Sequence, residues 1–228
     1  MAPRLRSAEA TPGPGPGWLG RILIVALGVT VVLAWMAIQA SFVFAQAVWL
    51  AVAGRILEGA EPGRIAGQIA RLRLVQATLA IGTVGLFLAW IHRAHRTLAA
   101  LNVTGIRSAR RAVMDCLIPG PNVVKIPRVM SELWRASAGA HTPPAVRSWV
   151  AWWWASCLAS VVLDLAAVPP GRRALEGAGL GGGLPVLVLG ECVRIGAAVL
   201  TIVVVGRIER QQRDRYEIEA SAPRGIDA

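Results

Sequence analysis

Three ionisable side chains interrupt the most apolar parts of this 228-residue sequence: Asp164, Glu191 and Arg194. A charge at the centre of a membrane helix costs about 2.5–3.5 kcal/mol on insertion scales, so such groups normally face a partner or water. Ser156, Ser160 and Asp164 are spaced by four and share one helical face. If the two segments pack as an antiparallel hairpin, Asp164 and Arg194 lean toward each other, because side chains tilt toward the N-terminus of their own helix. With Glu191, these residues form a predicted intramembrane polar cluster.

This cluster has a functional and a structural interpretation. It could line a polar cavity or a path for protons or ions, or it could be a buried pair that fixes how two helices pack. We favour the structural interpretation, because one triad of charges does not outline a pathway.

A second set of candidate residues is basic and aromatic, and it follows the second apolar segment. Cations near a membrane surface each contribute about 1 kcal/mol of attraction to anionic headgroups, so together they could hold such a headgroup. The other explanation is that they only orient the protein in the membrane. We call this set the basic collar, and its members are His92, Arg93, His95, Arg96, Arg107, Arg110, Arg111, Lys125, Arg128, Trp134 and Arg135.

Two histidines of the collar are three residues apart on a predicted helix, which is a spacing that can bind a metal. His141 could supply a third nitrogen. No carboxylate or cysteine is spaced with them, so we favour contact with lipid phosphates and predict no metal and no cofactor. The G-x-S-x-G and H-E-x-x-H motifs are also absent from the sequence. We therefore predict no catalytic residue and favour a protein that is not an enzyme.

Composition excludes an ordinary soluble domain. Hydrophobic residues make up 55% of the chain and charged residues only 16%, while the net charge is +11. A soluble protein with that charge would suggest nucleic acid as a partner. Here the basic residues flank apolar runs, so membrane lipids, anionic ones above all, are the expected partners and nucleic acid is not.

The apolar runs predict an all-α, polytopic membrane protein with four spans, at about 22–45, 74–91, 149–168 and 184–205. A disordered basic tail (1–18) precedes the helical domain (19–210), and a charged tail (211–228) follows it. Lys and Arg are concentrated before the first span, after the last and in the central connection. That asymmetry predicts a multi-pass protein of the cell membrane with both termini in the cytoplasm.

The central connection contains a short apolar segment, 112–127, that is broken by Pro119, Gly120 and Pro121. Unpaired backbone groups are not tolerated in hydrocarbon, so the segment either lies along the inner interface or dips into the bilayer under cover of other helices. Pro127 is expected in the first turn of a short helix that ends near Ser137.

The residues from about Leu86 to Ala159 resemble a bacterial multi-pass membrane family known as domain of unknown function 4328. The resemblance implies an integral membrane protein with several helices and supplies no activity, so no catalytic role is carried over. The residues that carry it are Ala89-Trp90, Arg93-Ala94, Arg96, Leu98, Leu101, Ile118-Pro119, Asn122, Pro127 and Glu132-Leu133-Trp134-Arg135-Ala136-Ser137.

Two functional hypotheses follow. The leading one is a non-enzymatic scaffold or accessory protein that engages anionic lipid, or a protein partner on the cytoplasmic side, through the basic collar. The alternative is a small transporter or channel that uses Asp164, Glu191 and Arg194.

Overall fold

The computed structural model describes residues 17–52, 62–118, 120–139, 145–167 and 180–221. Six helices and no strand are present in these ranges. The helices are α1 (Trp18–Val52), α2 (Pro62–Ala100), α3 (Ala109–Leu117), α4 (Asn122–Ala138), α5 (Val146–Ala167) and α6 (Leu180–Ser221). Most of the predicted basic tail and part of the predicted charged tail lie outside the described residues.

Four of these helices are long and apolar enough to cross a membrane. The segments that qualify are Trp18–Ala47, Gly67–Ala100, Val146–Ala166 and Pro185–Ile218. At most 39% of the residues in each apolar window are buried inside the protein. Because the remaining apolar side chains face outwards, lipid is the solvent that suits them. The predicted all-α polytopic membrane fold with four spans is confirmed.

The helices alternate in direction, so α1 begins, α2 ends, α5 begins and α6 ends at the same side of the bundle, which we call the collar end. The opposite side is the far end. α6 packs against both α1 and α5, and α2 packs against α1. α3 and α4 close the collar end, where they contact α2, α5 and α6. Most of the largest fully buried side chains lie there, among them Trp90, Ile91, Trp134 and Ile208.

In the proline-broken segment, α3 is followed by a turn at Gly120 and then by α4, and Pro119 lies outside the described residues. Gly120 adopts φ +85° in the turn, a conformation that glycine reaches without steric cost. α4 begins at Asn122, so the prediction that Pro127 starts this helix is wrong. Pro127 lies more than one turn inside α4 and has no N–H to donate to the carbonyl of Val123. The indole of Trp154 on α5 donates to that carbonyl instead, at 2.6 Å.

Candidate functional site

The charged residues predicted within the spans form one cluster near the far end. The Arg194 guanidinium lies between the two carboxylates: Nη1 is 3.1 Å from Glu191 Oε1 and 2.9 Å from Oε2. Its Nη2 pairs with Asp164 Oδ1. The contact joins α5 to α6, as expected for an antiparallel hairpin. Glu191 is 1% exposed, whereas the Asp164 side chain is 40% exposed.

The two serines of the predicted cluster behave differently from the charges. Ser156 Oγ donates to the carbonyl of Trp152 at 2.9 Å, and Ser160 Oγ donates to the carbonyl of Cys157 at 2.8 Å. Both hydroxyl protons are therefore used within α5, and the structure does not join the serines to the charges by a hydrogen bond.

α2 supplies two members of the cluster that the sequence did not indicate. Arg73 Nη1 lies 2.5 Å from Glu191 Oε1, and Gln76 Nε2 lies 3.4 Å from Glu191 Oε2. Arg73 was assigned to the connection before the second span, but α2 begins at Pro62 and carries it into the bundle. The three-residue spacing of Arg73 and Gln76, which places them on one helical face, was the available signal.

A cavity of about 360 Å³ adjoins the charge cluster. All four spanning helices line it, and its polar lining residues are Thr30, Arg73, Gln76, Asp164 and Arg194. Arg73 is about 20 residues from Arg93, which corresponds to about 30 Å along α2. The cavity is therefore separated from the collar end by most of a membrane thickness.

Some cations of the collar are paired with carboxylates. Arg107 Nε is 3.2 Å from Glu132 Oε2, and its backbone N–H donates to Glu132 Oε1 at 2.7 Å. Lys125 Nζ donates to Asp115 Oδ1 at 2.8 Å, and this bond is the main reason that the pKa of Asp115 lies below its ordinary value of 3.8. These pairs tie α3 to α4 and to the segment before α3.

Other cations of the collar end have no ion-pair partner among the described residues. Arg128, Arg135 and Arg147 are exposed and line a cleft of about 930 Å³ between the 103–107 segment, α4 and α5. Arg147, in the first turn of α5, was not part of the predicted collar. Arg96, Arg110 and Arg111 are also exposed, outside the cleft lining.

Two predicted collar residues do not reach the surface. Trp134 and His95 are each 1% exposed, so the expectation that they contact lipid headgroups is wrong. Trp134 is part of the buried hydrophobic core, and one ring nitrogen of His95 lies 3.0 Å from the carbonyl of Ile91. His92 remains exposed, and the guanidinium of Arg93 lies 5.6 Å from the ring of Trp18.

The histidines do not come together as a metal site within the part of the chain that the structure describes. No group of three His, Cys, Asp or Glu there could hold a metal ion. His141 lies outside the described residues. Cys116 is no better suited to such chemistry, since burial raises the pKa of its thiol to about 11.

A network of mostly uncharged groups connects the helices at the collar end. The Trp90 indole donates to Glu209 Oε1 at 3.1 Å. Gln212 Nε2 donates to the carbonyl of Ala94 at 3.3 Å and to Ser137 Oγ at 3.1 Å. The helix of the last span was expected to continue through residues 208–219, into the first part of the charged tail, and α6 does continue to Ser221. Gln212 on this extension connects α6 to α2 and α4.

Comparisons with known proteins give one match. The family model of a domain of unknown function, DUF4328, matches residues 64–210, from the first turn of α2 into α6. No curated protein and no solved structure matches the chain. Since the matched range covers more than half of the sequence and most of α2 to α6, the chain belongs to the DUF4328 family.

Proposed function

We propose that this protein is a non-enzymatic membrane scaffold or accessory protein whose collar-end cleft binds the headgroup of an anionic lipid. The observation that carries the proposal is the set of three exposed arginines, Arg128, Arg135 and Arg147, which line one cleft without an ion-pair partner among the described residues. Each such cation contributes about 1 kcal/mol of attraction to an anionic surface. Guanidinium groups also bind phosphate oxygens in a bidentate manner.

The charges near the cleft support a binding role over a purely structural one. Arg107 and Lys125 are held by Asp115 and Glu132, so they position α3 and α4. The arginines that line the cleft without a partner remain available to an external anion. An external phosphate would complete the arrangement without breaking an ion pair of the fold.

The surface of the α3–α4 unit supports a location at headgroup depth. Five apolar residues are exposed there without cover from the described chain: Met114, Leu117, Ile118, Val123 and Val124. A cluster of this kind beside basic residues is typical of a segment that lies in the membrane interface, with its apolar side toward the acyl chains. With α3 and α4 at this depth, the cleft opens among the phosphate groups of the lipids.

The distribution of cations supports an orientation of the protein in the membrane. The collar end carries most of the cations that flank the spans, and such ends face the cytoplasm in most membrane proteins. We therefore place both termini in the cytoplasm and the protein in the cell membrane. Reporter domains fused to the C-terminus test this: a cytoplasmic fluorescent protein should be active there, and a periplasmic phosphatase should be inactive.

Lipid binding is tested by measuring the affinity of the purified protein for phosphatidylglycerol relative to phosphatidylcholine by native mass spectrometry. Replacing the three cleft arginines together by glutamine should lower the affinity for phosphatidylglycerol by about tenfold or more. The matched control replaces three exposed arginines outside the cleft, Arg71, Arg210 and Arg213, and it should change the affinity far less. Equal losses of affinity in the two variants would contradict the cleft as the site. If the purified protein carries a bound protein and no bound lipid in the mass spectrum, a protein partner is favoured instead.

A small transporter or channel is the second candidate function. The observation that favours it is the 360 Å³ cavity, which reaches Asp164 and Arg194 between the four spanning helices. Neutralising the two residues singly and together tests it, by folded yield and by uptake into proteoliposomes. If the double variant recovers the yield that each single variant loses, the pair is structural, and the transport function loses its main support.

A further inference from the structure

We infer that the cavity beside the charge cluster is a binding site for a small zwitterion, a molecule with one ammonium group and one anionic group. This inference is independent of the lipid-binding cleft, which lies at the other end of the bundle. The cavity of about 360 Å³ has room for about twelve water molecules at about 30 Å³ each. A molecule the size of a small amino acid therefore fits.

The first evidence is a buried acceptor without a donor. Gln76 is 8% exposed, and its Oε1 has no hydrogen-bond partner among the described residues. The orientation of the amide follows from its neighbour, because the NH₂ group must face the carboxylate of Glu191 and the oxygen must then point away from it. Gln76 lines the cavity, and a buried acceptor left without a donor costs about 1–3 kcal/mol. An ammonium group in the cavity would supply that donor.

Groups of both signs remain available around this acceptor. Asp164 is bound through Oδ1 to Arg194, which leaves Oδ2 as a second acceptor on a partly exposed side chain. Arg73 is bound to Glu191 through Nη1, which leaves its other N–H groups as donors. Both residues line the cavity. The ammonium group would contact Asp164 and Gln76, and the anionic group would contact Arg73.

The charge balance of the cluster determines the net charge of the ligand. Two arginines, Arg73 and Arg194, face two carboxylates, Asp164 and Glu191, so the formal charge of the cluster is zero. A ligand with a net charge would add an uncompensated charge within the span, which is costly. A zwitterion does not. This chemistry is found both in a free amino acid and in the ethanolamine headgroup of a lipid.

The test measures thermal unfolding of the full-length protein in a maltoside detergent. Alanine is the probe for a free amino acid, and short-chain phosphatidylethanolamine is the probe for a zwitterionic lipid headgroup. Ethylammonium and propionate each carry one of the two charges and serve as controls. Alanine or the lipid should raise the unfolding temperature in a concentration-dependent way, because a ligand that binds only the folded state stabilises it. The single-charge compounds should not.

A matched pair of variants assigns the effect to the cavity. Gln76→Leu removes the free acceptor and should weaken the binding of the active zwitterion about tenfold or more. Gln68→Leu makes the same change at an exposed position of α2 and should leave the affinity unchanged. If Gln76→Leu does not fold, Arg73→Lys keeps the charge and loses the guanidinium fork, and it should weaken binding as well. The inference is overturned if neither zwitterion stabilises the protein, if one charge suffices, or if the variants bind as the wild type does.

Discussion

Polar groups connect the helices at both ends of the bundle, but the kind of group differs between the two ends. At the far end, charged groups of α2, α5 and α6 neutralise one another around the buried carboxylate of Glu191. At the collar end, the spanning helices are joined by the Trp90 indole, which donates to Glu209, and by the Gln212 amide, and ion pairs are confined to α3, α4 and the segment before α3. Several exposed arginines there have no ion-pair partner among the described residues.

The difference follows from the surrounding solvent. A charge inside a span has no water to compensate it, so it must find an opposite charge. A charge at the interface is compensated by water and headgroups, so it can remain available to a ligand. We therefore expect substitutions at the far end to affect folding most strongly, and substitutions of exposed collar arginines to affect binding instead.

The largest effect is expected for Glu191→Ala. This change leaves Arg73 and Arg194 without their shared carboxylate, and breaking a buried ion pair by removing one partner costs about 3–5 kcal/mol. The free energy of unfolding in detergent or bicelles, or the folded yield, measures the loss. Glu217→Ala lies on the same helix at an exposed position and should stay within about 0.5 kcal/mol of the wild type. Similar stability of the two variants would contradict the role of Glu191 as the centre of the cluster.

A smaller effect is expected for Gly20→Ala at the collar end. A Cβ at position 20 would overlap the carboxylate of Glu209, which accepts the hydrogen bond of the Trp90 indole. Displacing that carboxylate should cost about 1–3 kcal/mol, because it leaves a buried indole N–H without its acceptor. Gly28→Ala is the matched control on α1, since nothing lies within 4 Å of its added Cβ. Equal stabilities of the two variants would show that Glu209 moves without cost.

The bond between Trp154 and Val123 should depend on the proline inside α4. Trp154→Phe removes the indole N–H that donates to the Val123 carbonyl, at a cost of about 0.5–1.5 kcal/mol. In a Pro127→Ala background the new N–H at position 127 can reach that carbonyl, so the same change should cost less. A double-mutant cycle of unfolding free energies measures this coupling. Trp152→Phe, at an exposed position on α5, should show no coupling with Pro127→Ala.

The smallest effect is a pH dependence of the α3–α4 unit. Because Lys125 lowers the pKa of Asp115 in the folded state, the pair contributes stability above the ordinary value of 3.8, and that contribution is lost as the pH falls through the lowered pKa. The stability difference between wild type and Asp115→Asn should therefore be constant from neutral pH down to about pH 4–5 and shrink at lower pH. A difference that already changes near neutral pH would show that another group is responsible.

The spans could be predicted because hydrophobic length depends only on local sequence. Runs such as that from Ile22 to Ala53 contain no charge, and a helix is the structure that satisfies its own backbone in lipid. The pairing of Asp164 with Arg194 was also expected, since their separation suits an antiparallel hairpin. Arg73 and Gln76 were missed, because the sequence does not say which face of α2 turns toward α6.

The collar was predicted as a set of residue types, and the tertiary structure divided it. Lys125, Arg128 and Trp134 lie within one helix, and the sequence predicted the same contact with lipid headgroups for all three. Packing of α4 on α2, α5 and α6 buries Trp134. Its contact with α3 brings Lys125 to Asp115, and Arg128 faces the cleft. Such differences depend on which neighbours lie within a few ångströms, and these neighbours are distant in sequence.

The amino-acid sequence by itself determined that this chain lies in lipid and crosses it four times, because both properties are sums over consecutive residues. Only the tertiary structure decided which charges neutralise one another and which remain available to a ligand. The physical reason is that electrostatic compensation acts between atoms in contact, and contact between helices is set by how their faces turn and pack.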